Sequence, residues 1–229
     1  MSALGREAGR VAAVAWKDLT AERRTKANFN SVVFLATLTL LLFGFALGPD
    51  AEALRAAAAG IVWLTVLFSG VLTFNRSYQL ELEGGAFETL LLYPGERRSI
   101  FIGKVAANLA FVLLVEAIVV PLAAVLFGLP LLGPFPGLAG VLLLGTIGFV
   151  TLGTFYAAMA SRMRAREVLL PLLLFPMLVP VLLASVQSTK LVLDGDPMGN
   201  FTNWIAMLLL FDLIFFIAAV WAFDHVIED

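Results

Sequence analysis

No cysteine occurs in the chain, and histidine occurs once, as His225. Disulfides, thiolate metal sites and cysteine nucleophiles are therefore excluded, as is most histidine chemistry, and the redox compartment leaves no trace in the sequence. A phosphate-cradling Gly-x-x-x-x-Gly-Lys-Ser/Thr loop is also missing, because Gly103-Lys104-Val105 lacks the upstream glycine. Charge is scarce: 14 % of residues are ionisable acids or bases, against about a quarter in water-soluble domains. The net charge of −2 gives no argument for a nucleic-acid partner or an acidic tail. What is abundant is apolar surface. At 61 % of 229 residues, the hydrophobic content can supply six spans of about 20 residues each, with little left over.

Charge-free runs mark those spans, since an ionised group in the hydrocarbon core costs several kcal/mol. No charge lies between Lys26 and Asp50 or between Arg55 and Arg76. A third apolar stretch, Ile100 to Phe127, holds only Lys104 at its start and Glu116 in its middle. The uncharged run from Glu116 to Arg162 is broken by the proline-rich connection 129–136, and holds the end of that span and all of the fourth. The fifth and sixth spans lie at about Val168 to Gln187 and Asn203 to Phe223, the last interrupted by Asp212. The spacing predicts an all-α membrane protein with six transmembrane helices. Thirteen of the fifteen lysines and arginines fall ahead of the first span or in the second and fourth connections, leaving Arg55 and Lys190 for the other side. Positive loops stay in the cytoplasm, so both termini are expected there.

The N-terminal apolar run begins near residue 31, is long enough to span and lacks a cleavage site after a short core, unlike a signal peptide. Residues 1–30 instead predict an amphipathic segment. At about 100° per residue, Leu4, Ala8, Val11, Ala12, Ala15 and Leu19 share one face, with Arg6, Arg10, Lys17 and Arg24 opposite. Such a helix lies in the headgroup plane; the alternative is a solvated helix off the membrane, and Val14 falls on the wrong face for the first reading. The longest cytoplasmic connection, Arg76 to Ser99, is also patterned. Ala86, Phe87, Leu90 and Leu91 recur on one helical face after Gly84-Gly85, and Tyr93-Pro94-Gly95 stop it. This short helix, flanked by Glu81, Glu83 and Glu88, has an apolar face on the water side of the membrane. It must either dip into the headgroups, pack on other loops, or meet a partner.

Six spans, a basic amphipathic N-terminal helix and an acidic short helix between spans two and three resemble the permease half of a type-2 ABC exporter. The details are closer to one family. Trp16-Lys17-Asp18-Leu19, Gly48-Pro49-Asp50, Ala59-Gly60-Ile61-Val62-Trp63, Glu81-Leu82-Glu83-Gly84-Gly85-Ala86-Phe87-Glu88 with Leu91-Leu92-Tyr93-Pro94, and Phe175-Pro176 with Val179-Pro180 together resemble the haem exporter protein B family of cytochrome c maturation. Gly84-Gly85 departs from the single glycine after a polar residue expected at that place. The resemblance implies a non-catalytic transmembrane subunit of the bacterial inner membrane. It would pair with a second copy of itself, a separate ATP-binding subunit that carries the ATP, and a haem-handling membrane subunit. It also implies an ATPase-coupling helix at about 81–92, involving Glu81, Glu83, Gly85, Phe87, Glu88, Leu91, Tyr93 and Pro94, after an interfacial helix that includes Arg10, Trp16 and Lys17. Residues 31–229 then form the transmembrane domain. The same architecture also suits a type-2 exporter of a lipid, glycan or drug.

Within the spans, Glu116 and Asp212 are functional-site candidates, each needing a partner or a proton. Lining a path, carrying protons, joining helices and meeting another subunit all remain open for them. Thr65, Ser69 and Thr73 form a polar stripe on the second span that should avoid lipid, facing either a dimer interface or their own helix backbone. Gly137, Gly140, Gly145 and Gly148 gather on one side of the fourth span and read as close helix packing. Prolines 171, 176 and 180 predict kinks in the fifth. Axial haem ligands are usually histidine, methionine, cysteine or tyrosine, and the lone His225 sits at the cytoplasmic end of the last span. No cofactor is expected on this chain, and haem enters only as cargo of the pathway.

Overall fold

The computed structural model describes residues 3–83, 97–131, 133–161, 166–196 and 198–226. Seven helices and no strand occur among them: α1 (Ala3–Thr25), α2 (Ala27–Leu47), α3 (Ala51–Glu83), α4 (Arg97–Phe127), α5 (Phe135–Ser161), α6 (Arg166–Asp194) and α7 (Phe201–Val226). Helices α2 to α7 are each long and apolar enough to cross a membrane, so the chain is an all-α, multi-pass membrane protein.

Local chemistry sets the boundaries. Lys26 has left-handed backbone (φ 51°), which ends α1 and lets α2 begin at once. The break thus falls at Lys26 and not at residue 30. Glu22 reaches forward from α1 so that its Oε1 accepts the Phe29 N–H at 2.9 Å, satisfying a donor that the start of α2 leaves open. Gly48, at φ 71°, closes α2. Asp50 Oδ1 then accepts the N–H groups of Glu52 (2.9 Å) and Ala53 (3.2 Å), capping α3. On the same side of the bundle, Asp196 accepts from Asn200 (2.9 Å) and Phe201 (2.7 Å) at the start of α7. These bonds hold its carboxyl below the usual carboxylate range.

Helix α3 has 33 residues, about 50 Å of helix at 1.5 Å each, against a hydrocarbon core of about 30 Å. It must therefore project from the bilayer. The sequence reading opens the cytoplasmic connection at Arg76, whereas the helix continues to Glu83. Ser77 to Glu83 contains no breaker, and the first one met is Gly84-Gly85. Helix α6 likewise runs unbroken through prolines 171, 176 and 180.

The largest apolar cluster joins α3, α4, α5, α6 and α7 through Trp63, Phe74, Phe101, Phe149, Leu178 and Phe223. A second joins α2, α3 and α4 through Val32, Leu40, Val62, Val115 and Val119. Helices α3 and α5 are the most enclosed spans, α2 and α7 the least. On α2 only the line Asn28, Val32, Ala36 and Leu40 is buried, leaving Phe34, Leu38, Leu42 and Phe45 exposed. That face has lipid as its solvent.

Helix α1 has three faces rather than two. Glu7, Val11, Val14, Asp18 and Glu22 turn toward the bundle and are partly buried. Ala8, Ala12 and Trp16 lie to one side, with Trp16 68 % exposed, and the basic face to the other. Val14, off the apolar stripe, thus shares the packed face with Val11 from the stripe's edge. What holds it is polar, since three of its five residues are acids.

Candidate functional site

The acids of α1 meet the end of the bundle at which α4 starts. Glu7 bonds Ser99 at the start of α4 and pairs with Arg10 at 2.7 Å. Asp18 Oδ2 accepts from Lys104 Nζ at 3.2 Å, and its Oδ1 lies 3.3 Å from Lys17. Lys104 is completely buried. Its ammonium also donates to the Ser77 carbonyl of α3 at 3.1 Å and stands 4.5 Å from the Tyr78 ring centre, a cation–π arrangement. One lysine thereby joins α1, α3 and α4. Gly103, one residue before it, lets α1 approach: a Cβ there would lie 2.7 Å from that of Val14.

Sequence reasoning places Lys104 at the start of a span and gives it no role. The missed signal is its position: it lies about 10 Å along the helix beyond Arg97 and Arg98. Beside this junction is a cavity of about 230 Å³, bordered among others by Asp18, Glu22, Asn28, Thr73, Arg76 and Asn108.

Deeper in the membrane, polar side chains gather around α5. The Thr146 hydroxyl donates to Glu116 Oε1 at 2.5 Å, while Glu116 Oε2 has no partner among the described residues. Two residues on, Gly148 presents bare backbone to Asp212, whose Oδ1 lies where a side chain would begin. Both Asp212 oxygens are buried without a hydrogen bond among the described residues. Thr146 and Gly148 thus hold one acid from α4 and one from α7 against the same stretch of α5. Trp63 Nε1 donates to Thr189 Oγ1 at 2.9 Å, Asn108 Nδ2 to Thr154 Oγ1 at 2.9 Å, and Gly145 makes room for Trp63 and Ser185.

Thr65, Ser69 and Thr73 are buried inside the chain. Thr65 donates to the Ile61 carbonyl at 2.7 Å and Thr73 to that of Ser69 at 2.8 Å, so these two hydroxyls satisfy their own helix backbone. Of the fourth-span glycines, Gly137, Gly145 and Gly148 each meet another helix, whereas Gly140 faces open space. Gly70 and Gly153, which the sequence did not single out, make way for Phe149 and Phe74 respectively.

Gly85, Phe87, Glu88, Leu91, Tyr93 and Pro94 lie outside the described residues, and Glu81 and Glu83 are described only as backbone of the last turn of α3. The His225 side chain is outside them too. No group of three or more potential metal ligands from histidine, cysteine, aspartate and glutamate occurs among the described residues.

Known proteins resemble the chain over most of its length. The family described as CcmB protein matches residues 10–229. The protein named heme exporter protein B in Pseudomonas aeruginosa is 32 % identical over 186 residues, 81 % of this chain and 82 % of its own. Its namesake in Paracoccus denitrificans is 34 % identical over 188 residues, 80 % and 84 % of the two chains, and that of Rhodobacter capsulatus 34 % over 162, 71 % and 73 %. With six apolar spans and a family match that leaves out only the first nine residues, this chain belongs to the CcmB protein family.

Proposed function

We propose that this chain is the permease subunit of an ATP-driven ABC complex of c-type cytochrome biogenesis, in the bacterial inner membrane with both termini in the cytoplasm. Family membership, alongside relatives named heme exporter protein B, supports the pathway. The sequence contains no Gly-x-x-x-x-Gly-Lys-Ser/Thr loop to hold nucleotide phosphates in that manner. In this reading the ATP sits on a separate ATP-binding subunit, in a complex with two copies of this chain and a haem-handling membrane subunit. This subunit contributes motion and no bond chemistry.

The observation that carries the mechanical reading is the unbroken length of α3. The helix passes from the most enclosed part of the bundle, beside Trp63, to Glu83 at the threshold of residues 84–96. A force applied to the coupling segment at 81–92 would reach the core along one rigid rod. Lys104 ties that rod to α4 at Ser77 and to α1 at Asp18, so the three would move together. Phe87 is the proposed anchor in a groove of the ATPase, because aromatic side chains dominate small interfaces, with Glu81, Glu83 and Glu88 pairing with its basic residues. The moving helices then either export haem or release a haem-loaded chaperone from the haem-handling subunit.

Replacing Phe87 by Asp tests the coupling. Purified complex carrying F87D is expected to lose stimulation of ATP hydrolysis while the subunit stays inserted; unaltered turnover would remove the coupling reading. Haem movement into proteoliposomes containing the wild-type complex separates export from chaperone release.

A further inference from the structure

The second half of α1 stands between two openings. Opposite the cavity that Arg76 lines is a groove of about 720 Å³, formed by Arg23 and Lys26 at the α1–α2 junction, Phe29 and Asn30 on α2, and Phe111 and Leu114 on α4. Its two ends differ in chemistry. At the junction two exposed cations face one carboxylate, Glu22, whose Oε1 already accepts the Phe29 N–H. Toward α4 the wall is apolar, and it ends at Leu114, which is 53 % exposed. Phe29 and Phe111 close the floor edge-to-face, with ring centres 6.2 Å apart.

We propose that this groove holds one anionic phospholipid, its headgroup phosphate between Arg23 and Lys26 and an acyl chain along Phe111 and Leu114. Helix α2 starts at Ala27 and spans 21 residues, about the thickness of the hydrocarbon core. Lys26 therefore stands at the level of the headgroups and Leu114 below it among the chains. Basic pockets between membrane helices on the cytoplasmic side recognise anionic headgroups in this way, and the volume falls within the range of small-molecule sites. A free phosphate would leave the apolar wall unfilled. The adjoining cavity, which shares Leu19, Glu22 and Phe111 with the groove, holds another guanidinium: the Nε of Arg76 is buried with no acceptor among the described residues. A lipid there would fix the α1–α2 elbow to α4.

The test uses the full-length protein in neutral detergent, with bound lipid read by native mass spectrometry and stability by thermal unfolding. Phosphatidylglycerol is expected to remain bound and to raise the unfolding temperature, with phosphatidylcholine doing neither. Neutralising both cations (R23Q/K26Q) should weaken retention about 30-fold, each cation near the headgroups contributing about fivefold. R24Q, which removes one positive charge at a residue that lines neither opening, should retain lipid like wild type. Leu114→Gln supplies a second variant, expected to release the lipid while leaving the cations in place. Equal retention of phosphatidylcholine, undiminished retention by R23Q/K26Q, or displacement of phosphatidylglycerol by millimolar inorganic phosphate would each overturn the proposal.

Discussion

Asp212 and Gly148 show how one side chain decides what its neighbour can be. A methyl group at Gly148 would be driven into the Asp212 carboxylate and against Val181. Over-packing of this kind costs about 1–3 kcal/mol, so G148A is expected to destabilise the bundle by that much in detergent unfolding. The rescue is specific: D212A removes the obstructing oxygens, and the two changes together should cost less than their sum. Additive losses would mean that Gly148 is needed for something other than this contact. The sequence already marks Gly148 as a packing glycine and Asp212 as an acid in need of a partner, since both conclusions follow from residue type and depth. That the two meet is a property of how α5 and α7 cross, which neither residue encodes alone. Gly70 and Gly153 were invisible for the same reason. A lone glycine in an apolar helix gives no sign until the ring that fills its space is known.

At the scale of elements, the junction of α1, α3 and α4 rests on an asymmetric ion pair. Lys104 is wholly buried, whereas the Asp18 side chain keeps 18 % of its surface and lies near Lys17. Removing the acid strips a carboxylate from a charge that water cannot reach, at a cost of about 3 kcal/mol. Removing the lysine leaves an acid with both water and Lys17 at hand. D18A is therefore expected to loosen α1 far more than K104M, whose unbranched side chain refills the same space. Because the native chain has no cysteine, V14C gives a single labelling site. Its reagent accessibility should rise in D18A and stay low in K104M, and equal accessibility in both would contradict the asymmetry. Periodicity revealed α1 as a helix, but not which side meets the bundle, because that contact is made largely by acids and the spacing of apolar residues does not report it.

The start of α7 is held differently. The Asp196 carboxylate accepts from the Phe201 N–H on one oxygen and from the Asn200 N–H on the other, bonds that are stronger to the ionised form, and its acidity is raised accordingly. A depressed carboxyl contributes stability that is fully present above its unfolded value near 4 and is lost as pH falls through the lower folded value. Protection of the Asn200 and Phe201 amides from exchange, relative to unstructured peptide at the same pH, should thus be present at neutral pH and fall below about pH 4. In D196A it should be low throughout.

For the whole molecule, the six spans were legible because the exclusion of charge from hydrocarbon acts on each stretch of chain separately. The order of enclosure, with α3 and α5 inside and α2 and α7 outside, was not, because all six helices are uniformly apolar. The same charges also set direction. Thirteen cations fall on the side where α1, the end of α3 and the start of α4 converge, and two fall on the other. Of those two, Arg55 near the start of α3 reaches to within 3.7 Å of where a Gly128 side chain would begin, and Lys190 lies one turn from the end of α6. A bias this large leaves little competition between the two insertions, since each cation resists translocation. Cysteine introduced at Trp16, exposed on α1, is expected to react with a membrane-impermeant maleimide in inside-out vesicles and not in right-side-out ones. Cysteine introduced at Met198, 83 % exposed between α6 and α7, should give the reverse. Reaction of both positions from the same side would break the six-span count, because an even number of crossings separates neither terminus from the other yet places these two residues, five crossings apart, on opposite faces.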